Sequence, residues 1–199
     1  GGVWTNAQRG INGTVSAAHT AGTMVILGRN NLTINGADTQ YIGLTIKNSN
    51  PLRDQAEPNA QADKWLRGEG IWHNGARTDL INCIIHDCQD GIFSTPTATG
   101  SLTYGCLIFN NGYKAGGDYN GHGAYGQNES GTKTYRRNLV WNNFNQGFKM
   151  DSQTADAVGF RVDQNVSFNA GSVANAGHMC FFVGANTGVS NDNQFTDNF

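Results

Sequence analysis

Several side chains able to do chemistry recur at one position of a repeated pattern. The pattern reads Gly70-Ile71-Trp72-His73, Gly91-Ile92-Phe93-Ser94, Gly123-Ala124-Tyr125-Gly126 and Gly147-Phe148-Lys149-Met150, and more loosely His178-Met179-Cys180-Phe181. Strand alternation turns Ile71, Ile92, Ala124 and Phe148 inward. It turns Trp72, Phe93, Tyr125, Lys149 and Cys180 outward, one above another. Two residues on, the same face carries Asn74, Thr95, Gln127 and Asp151; Glu69, Asp90, His122 and Gln146 enter the strands. The expected surface is exposed. A lysine among aromatics suits a Brønsted base that takes a proton alpha to a carboxyl, with Tyr125 or His122 returning a proton to the leaving oxygen. Glu69, Asp90 and Asp151 suit Ca²⁺ or hydroxyl groups, and Glu69 with Asp90 also suits paired acid and base work. Trp72 and Phe93 suit sugar rings, and Asn74 and Gln127 their hydroxyls. Each has a structural alternative: Lys149 paired to Asp151, the acids in turn chemistry before Gly, the aromatics shielded by a loop.

Positioning such a file requires short strands stacked in register. A second motif supplies them, polar-aliphatic-aliphatic-x-Asn, at Gly43, Cys83, Cys106, Asn138, Asn165 and Asn193, spaced by about 23 to 40 residues. The segments are short, β-branched or aromatic, and bounded by Gly, Asn or Asp, which marks strands. No helix fits between them. Asn48, Asp87, Asn110, Asn142 and Asn169 recur after the same strand, as amides stacked along a turn would. The expected fold is all-β, a right-handed parallel β-helix of about seven coils without a helical layer, each coil burying its residues against its neighbours. Residues 1-199 form a single domain. The abrupt ends, Gly1-Gly2-Val3-Trp4 and Asn198-Phe199, read as those of a piece of a longer chain. Long loops at 50-67 and 113-121 flank one surface.

Composition narrows the partners. Charged residues make up 14% and the net charge is −2, which argues against nucleic acid, because phosphate binding needs clustered Lys and Arg. No apolar run approaches the roughly 18 residues of a membrane span. The four cysteines match no zinc spacing. Cys83 and Cys106 share a repeat position and read as small buried residues. Arg136 and Arg137 lie on another face, where pairing with Asp163 is expected.

The stretch Gly121-His122-Gly123-Ala124-Tyr125-Gly126-Gln127-Asn128-Glu129-Ser130-Gly131-Thr132-Lys133, with Arg67-Gly68-Glu69-Gly70-Ile71, resembles motifs of secreted bacterial β-helix proteins in the pectate-lyase-like superfamily. The resemblance spans about residues 30–170. It implies an extracellular or cell-surface, carbohydrate-active protein, and in related lyases a lysine or arginine is the base. The expected reaction is β-elimination on an acidic polysaccharide, with either Ca²⁺ or no cofactor, the acids binding the metal or the substrate. The Asp-Asp pair of the hydrolase branch is missing. A non-catalytic fibre, adhesin or filament, associating end to end or laterally, is the alternative, since this fold hosts both.

Overall fold

The computed structural model describes residues 30–49, 53–55, 67–115, 118–152, 156–171 and 179–199. Most of the 50–67 loop, residues 116–117 of the second loop, and His178 lie outside them. The described residues form strands and turns without a helix, and no helix is long and apolar enough to cross a membrane. Three long parallel sheets dominate. Sheet I stacks Leu32–Ile34, Ile71–His73, Ile92–Ser94, Ala124–Gly126, Phe148–Ser152 and Phe181–Ala185. Sheet II stacks Gln40–Ile42, Asp79–Ile81, Leu102–Tyr104, Lys133–Arg136, Phe160–Asp163 and Gln194–Thr196. Sheet III stacks Thr45–Lys47, Ile84–His86, Leu107–Phe109, Leu139–Trp141 and Val166–Phe168. The chain visits I, II and III in turn, as a solenoid does.

The core is built from the inward columns. Ile71, Ile92, Ala124 and Phe148 of sheet I face Leu80, Tyr135 and Val162 of sheet II and Ile85, Ile108 and Val140 of sheet III, all buried. The turns between sheets each use a left-handed residue. Between sheets II and III that residue is Gly43, Asn82, Gly105, Arg137, Gln164 or Asp197; after sheet III it is Asp87, Asn110, Asn142 or Asn169. Asn and Asp tolerate this conformation because their short side chains can bond locally. Entry into sheet I needs glycine for another reason. A Cβ on Gly91 would lie 2.5 Å from the Gly123 carbonyl oxygen, and one on Gly123 would lie 2.6 Å from that of Gly147.

Three register expectations change. Phe182, not Cys180, follows Lys149 in the outward file, because Phe148 pairs with Phe181. Gln194–Thr196 lies on sheet II beside Arg161–Asp163, so Asn198 rather than Asn193 continues the column of Asn138 and Asn165. The stacked amides also fall elsewhere than expected. The buried ladders are Asn138–Asn165–Asn198 and Asn111–Asn143, each side-chain oxygen accepting the backbone N–H of the preceding coil. The Asn110, Asn142 and Asn169 column serves the left-handed turn, with one exposed amide contact between Asn169 and Asn142. Cys83 and Cys106 are buried as expected, and all four cysteines are free.

Candidate functional site

Register brings the expected residues together on the outer face of sheet I. Trp72 pairs with Phe93, Phe93 with Tyr125, and Tyr125 with Lys149. The Trp72 and Phe93 rings stack with centroids 4.5 Å apart, and Tyr125 meets Phe93 edge-on at 4.9 Å. His122 packs edge-on to Tyr125 at 5.5 Å. The Lys149 Nζ lies 4.7 Å from the Tyr125 ring centre, a cation–π contact, and 3.6 Å from Asp151 Oδ2. This pairing is the structural alternative anticipated for Lys149.

The entry column is a chain of hydrogen bonds across coils. The Asp90 N–H donates to Glu69 Oε2 (2.9 Å) and the His122 N–H to Asp90 Oδ1 (2.6 Å), while the Gln89 amide donates to Glu69 Oε1 (2.7 Å). Both acids are buried. Burial, then the neighbouring Asp90, raises the Glu69 carboxyl well above its usual range, against the Asp90 N–H. Burial pushes Asp90 up to about 6, opposed by the His122 N–H and by Lys149. His122 is held neutral, its pKa lowered to about 3 by burial and by Lys149. Burial also raises Tyr125.

The face is more closed than its sequence suggests. Glu69, Asp90, His122, Tyr125 and Asp151 are buried, and Trp72, Phe93 and Lys149 are partly open. The stacked faces of Trp72 and Phe93 are turned to each other, so these rings show mainly their edges. Asn74 is spent within the solenoid, donating to Asn35 and accepting from Thr95. Gln127 is half-buried, and its carbonyl accepts from Lys133.

The three carboxylates do not form one cage for Ca²⁺. Glu69 and Asp90 sit at strand entry and bind backbone N–H groups. Asp151 lies five residues past Gln146, the residue in the entry column on its own coil, about 16 Å further along the strand direction at ~3.3 Å per residue. Among the described residues no group of three or more His, Cys, Asp or Glu could hold a metal ion. Four polar atoms of this face are buried without a hydrogen-bond partner among the described residues: His122 Nδ1, Tyr125 Oη, Gln146 Oε1 and Asp151 Oδ1. The Tyr125 hydroxyl has Gln127 nearby but not in hydrogen-bond geometry.

Other polar residues went unpredicted. Lys133 is buried and donates to the carbonyls of Thr95 and Gln127, both at 2.6 Å. Alternation from the inward Tyr135 would have placed it inside. Arg53 and Arg67 both bind Asp87, the first at its carboxylate and the second at its carbonyl. That convergence joins distant segments and leaves no local signal. Arg136 pairs with Asp163 at 2.7 Å, as expected. Comparisons with protein-family models, with curated proteins and with solved structures found no match to this chain.

Proposed function

We propose that this protein is an extracellular or cell-surface, carbohydrate-active β-helix of the pectate-lyase-like kind, right-handed and of about seven coils, that cleaves an acidic polysaccharide by β-elimination. The observation that carries this reading is the convergence on sheet I of Lys149, Tyr125, His122 and Asp151, with Lys149 over the Tyr125 ring and partly open to solvent. In the reaction, the Lys149 ammonium first releases its proton to solvent through its open side; the free amine then takes the proton alpha to a uronate carboxyl, the bond to the leaving O4 breaks, and a C4–C5 double bond forms. The buried Tyr125 hydroxyl, which has no hydrogen-bond partner among the described residues, gives its proton to the departing oxygen. The neutral His122, packed edge-on to Tyr125, serves to orient the glycan. Asp151 holds the Lys149 side chain in place. Trp72 and Phe93 form the partly open end at which a sugar enters. Because the carboxylates do not form a cage, no step passes through Ca²⁺.

The test is ultraviolet absorbance of the unsaturated product on a panel of acidic polysaccharides, with and without Ca²⁺. Turnover by the wild type that is lost in Lys149→Ala, with the fold intact by circular dichroism, supports the reading. The burial of Tyr125, His122, Asp90 and Glu69 favours one alternative, a non-catalytic β-helical fibre or adhesin in which these groups are only structural. Absence of product on every substrate would select it.

A further inference from the structure

The three sheets present different outer faces. Sheet II is charged and tied down by polar pairs: Arg136 to Asp163, Arg161 to Asp192, Gln40 to Asp79 and Thr196 to Asp163. Sheet III is not. Its first outward column is Thr45 followed by the aliphatic Ile84, Leu107, Leu139 and Val166, with Leu107 and Val166 both 37% exposed. Its second is Lys47, His86, Phe109, Trp141 and Phe168. The rings of this column run nearly parallel: His86 on Phe109 at 4.9 Å and 1°, Phe109 on Trp141 at 4.3 Å and 15°, Trp141 on Phe168 at 6.2 Å and 13°. The left-handed turn beside it adds the amides of Asn110, Asn142 and Asn169.

Rings stacked along the axis turn their edges to solvent, and the edge is the electropositive part of an aromatic ring. Lys47 is exposed and extends that sign at one end. Next to it, His86 Nδ1 lies 2.6 Å from Asp87 Oδ2, and Asp87 is held by Arg53. Asp87 thereby orients the imidazole through Nδ1–H and makes Nε2 a hydrogen-bond acceptor. The strip suits an anionic, oxygen-rich partner. Its size decides what kind. Five strands at ~4.8 Å spacing and three outward positions at ~3.3 Å give a strip about 19 Å by about 10 Å, or about 200 Å², against about 800 Å² per partner in a stable protein interface. That is too narrow for a second copy of this chain and wide enough for one extended polymer strand.

We propose that the outer face of sheet III is a second, non-catalytic binding strip for a single acidic glycan chain lying along the solenoid axis. The inference rests on the acidic-glycan reading given above for sheet I. Carboxylates meet Lys47 and the ring edges; hydroxyls donate to His86 Nε2 and meet the amides of Asn110, Asn142 and Asn169; sugar C–H faces lie on Leu107, Leu139 and Val166.

The test is affinity electrophoresis through gels containing polygalacturonate, alginate or hyaluronate, run beside the turnover assay and sedimentation. The proteins are wild type, Trp141→Thr, Lys47→Glu and Lys149→Ala. The expected result is retardation of wild type and Lys149→Ala by at least one polymer. Trp141→Thr should bind more weakly by about tenfold and Lys47→Glu by about fivefold, both with turnover unchanged. Lys47 is exposed on a surface strand, so its variant keeps the test valid if Trp141→Thr fails to fold. Retardation lost only in Lys149→Ala overturns the strip and keeps the sheet I site. Turnover without retardation does the same, whereas neither turnover nor retardation overturns both. A dimer that Trp141→Thr or Lys47→Glu dissociates overturns the strip in favour of self-association.

Discussion

At the scale of single residues, buried ionisable groups set how this protein responds to pH. Lys133 is the clearest case. Burial lowers its pKa from 10.5 to about 7, although its ammonium donates to two carbonyls. Between about 7 and 10.5 the unfolded chain holds a proton that the folded one has released, so this group makes stability rise with pH there. The cost of burying the charge is fully present below about 7. Lys133→Met removes it. The stability of wild type relative to Lys133→Met should therefore climb above neutral pH, by at most about 1.4 kcal/mol per pH unit. Urea titrations of both proteins at several pH values measure this, and a constant difference would refute it. On the acid side, burial lowers His73 to about 4 and His122 to about 3. Both weaken the fold as pH falls below 6.5. Asp90 and Glu69, raised by burial, act with the opposite sign and weaken it as pH rises above the usual carboxylate range.

At the scale of elements, turns and ladders matter more than strand length, since most strands in the three sheets have only three residues. Asn165 shows how a ladder works. Its Oδ1 accepts from both the backbone N–H and the amide of Asn138, and its own amide donates to the Tyr135 carbonyl and to Asn198. Asn165→Leu strands these buried groups and should cost about 2–4 kcal/mol, read as a lower urea midpoint. Gly123→Ala should also destabilise, by about 1–3 kcal/mol or more. Its Cβ would sit 2.3 Å from Val140 Cγ1 and 2.6 Å from the Gly147 carbonyl oxygen, and the latter is backbone that cannot swing away.

At the scale of the whole molecule, each coil rests on the coils above and below it. Phe148 shows the consequence. It is fully buried, stacks on Phe181 at 5.2 Å and 3°, and meets Tyr135 edge-on at 6.1 Å. Phe148→Asp places a charge in this core at a cost of several kcal/mol and removes packing from two neighbouring coils at once. The expected outcome is loss of the β-sheet circular dichroism signal; a folded variant with a normal unfolding midpoint would contradict it.

Periodicity alone was enough to read the all-β class, the parallel stacking of Trp72, Phe93, Tyr125 and Lys149, and the inward set of Ile71, Ile92, Ala124 and Phe148. These follow from a two-residue period and a recurring Gly, both local properties of the chain. It also placed Glu69, Asp90 and His122 in one entry column. Its last repeat was misaligned, because Gln194–Thr196 looks like a sheet III strand and pairs on sheet II; a three-residue strand carries too little pattern to say which sheet it joins. Packing between coils is what buries most of the chemical face, ties Asn74 into the solenoid and sets Asp151 apart from Glu69 and Asp90. It also sets Lys133 bonding across coils and brings Arg53 and Arg67 together at Asp87. Those outcomes depend on which coil lies above which and what it covers, and contacts between residues 20 or more positions apart leave no trace in local spacing.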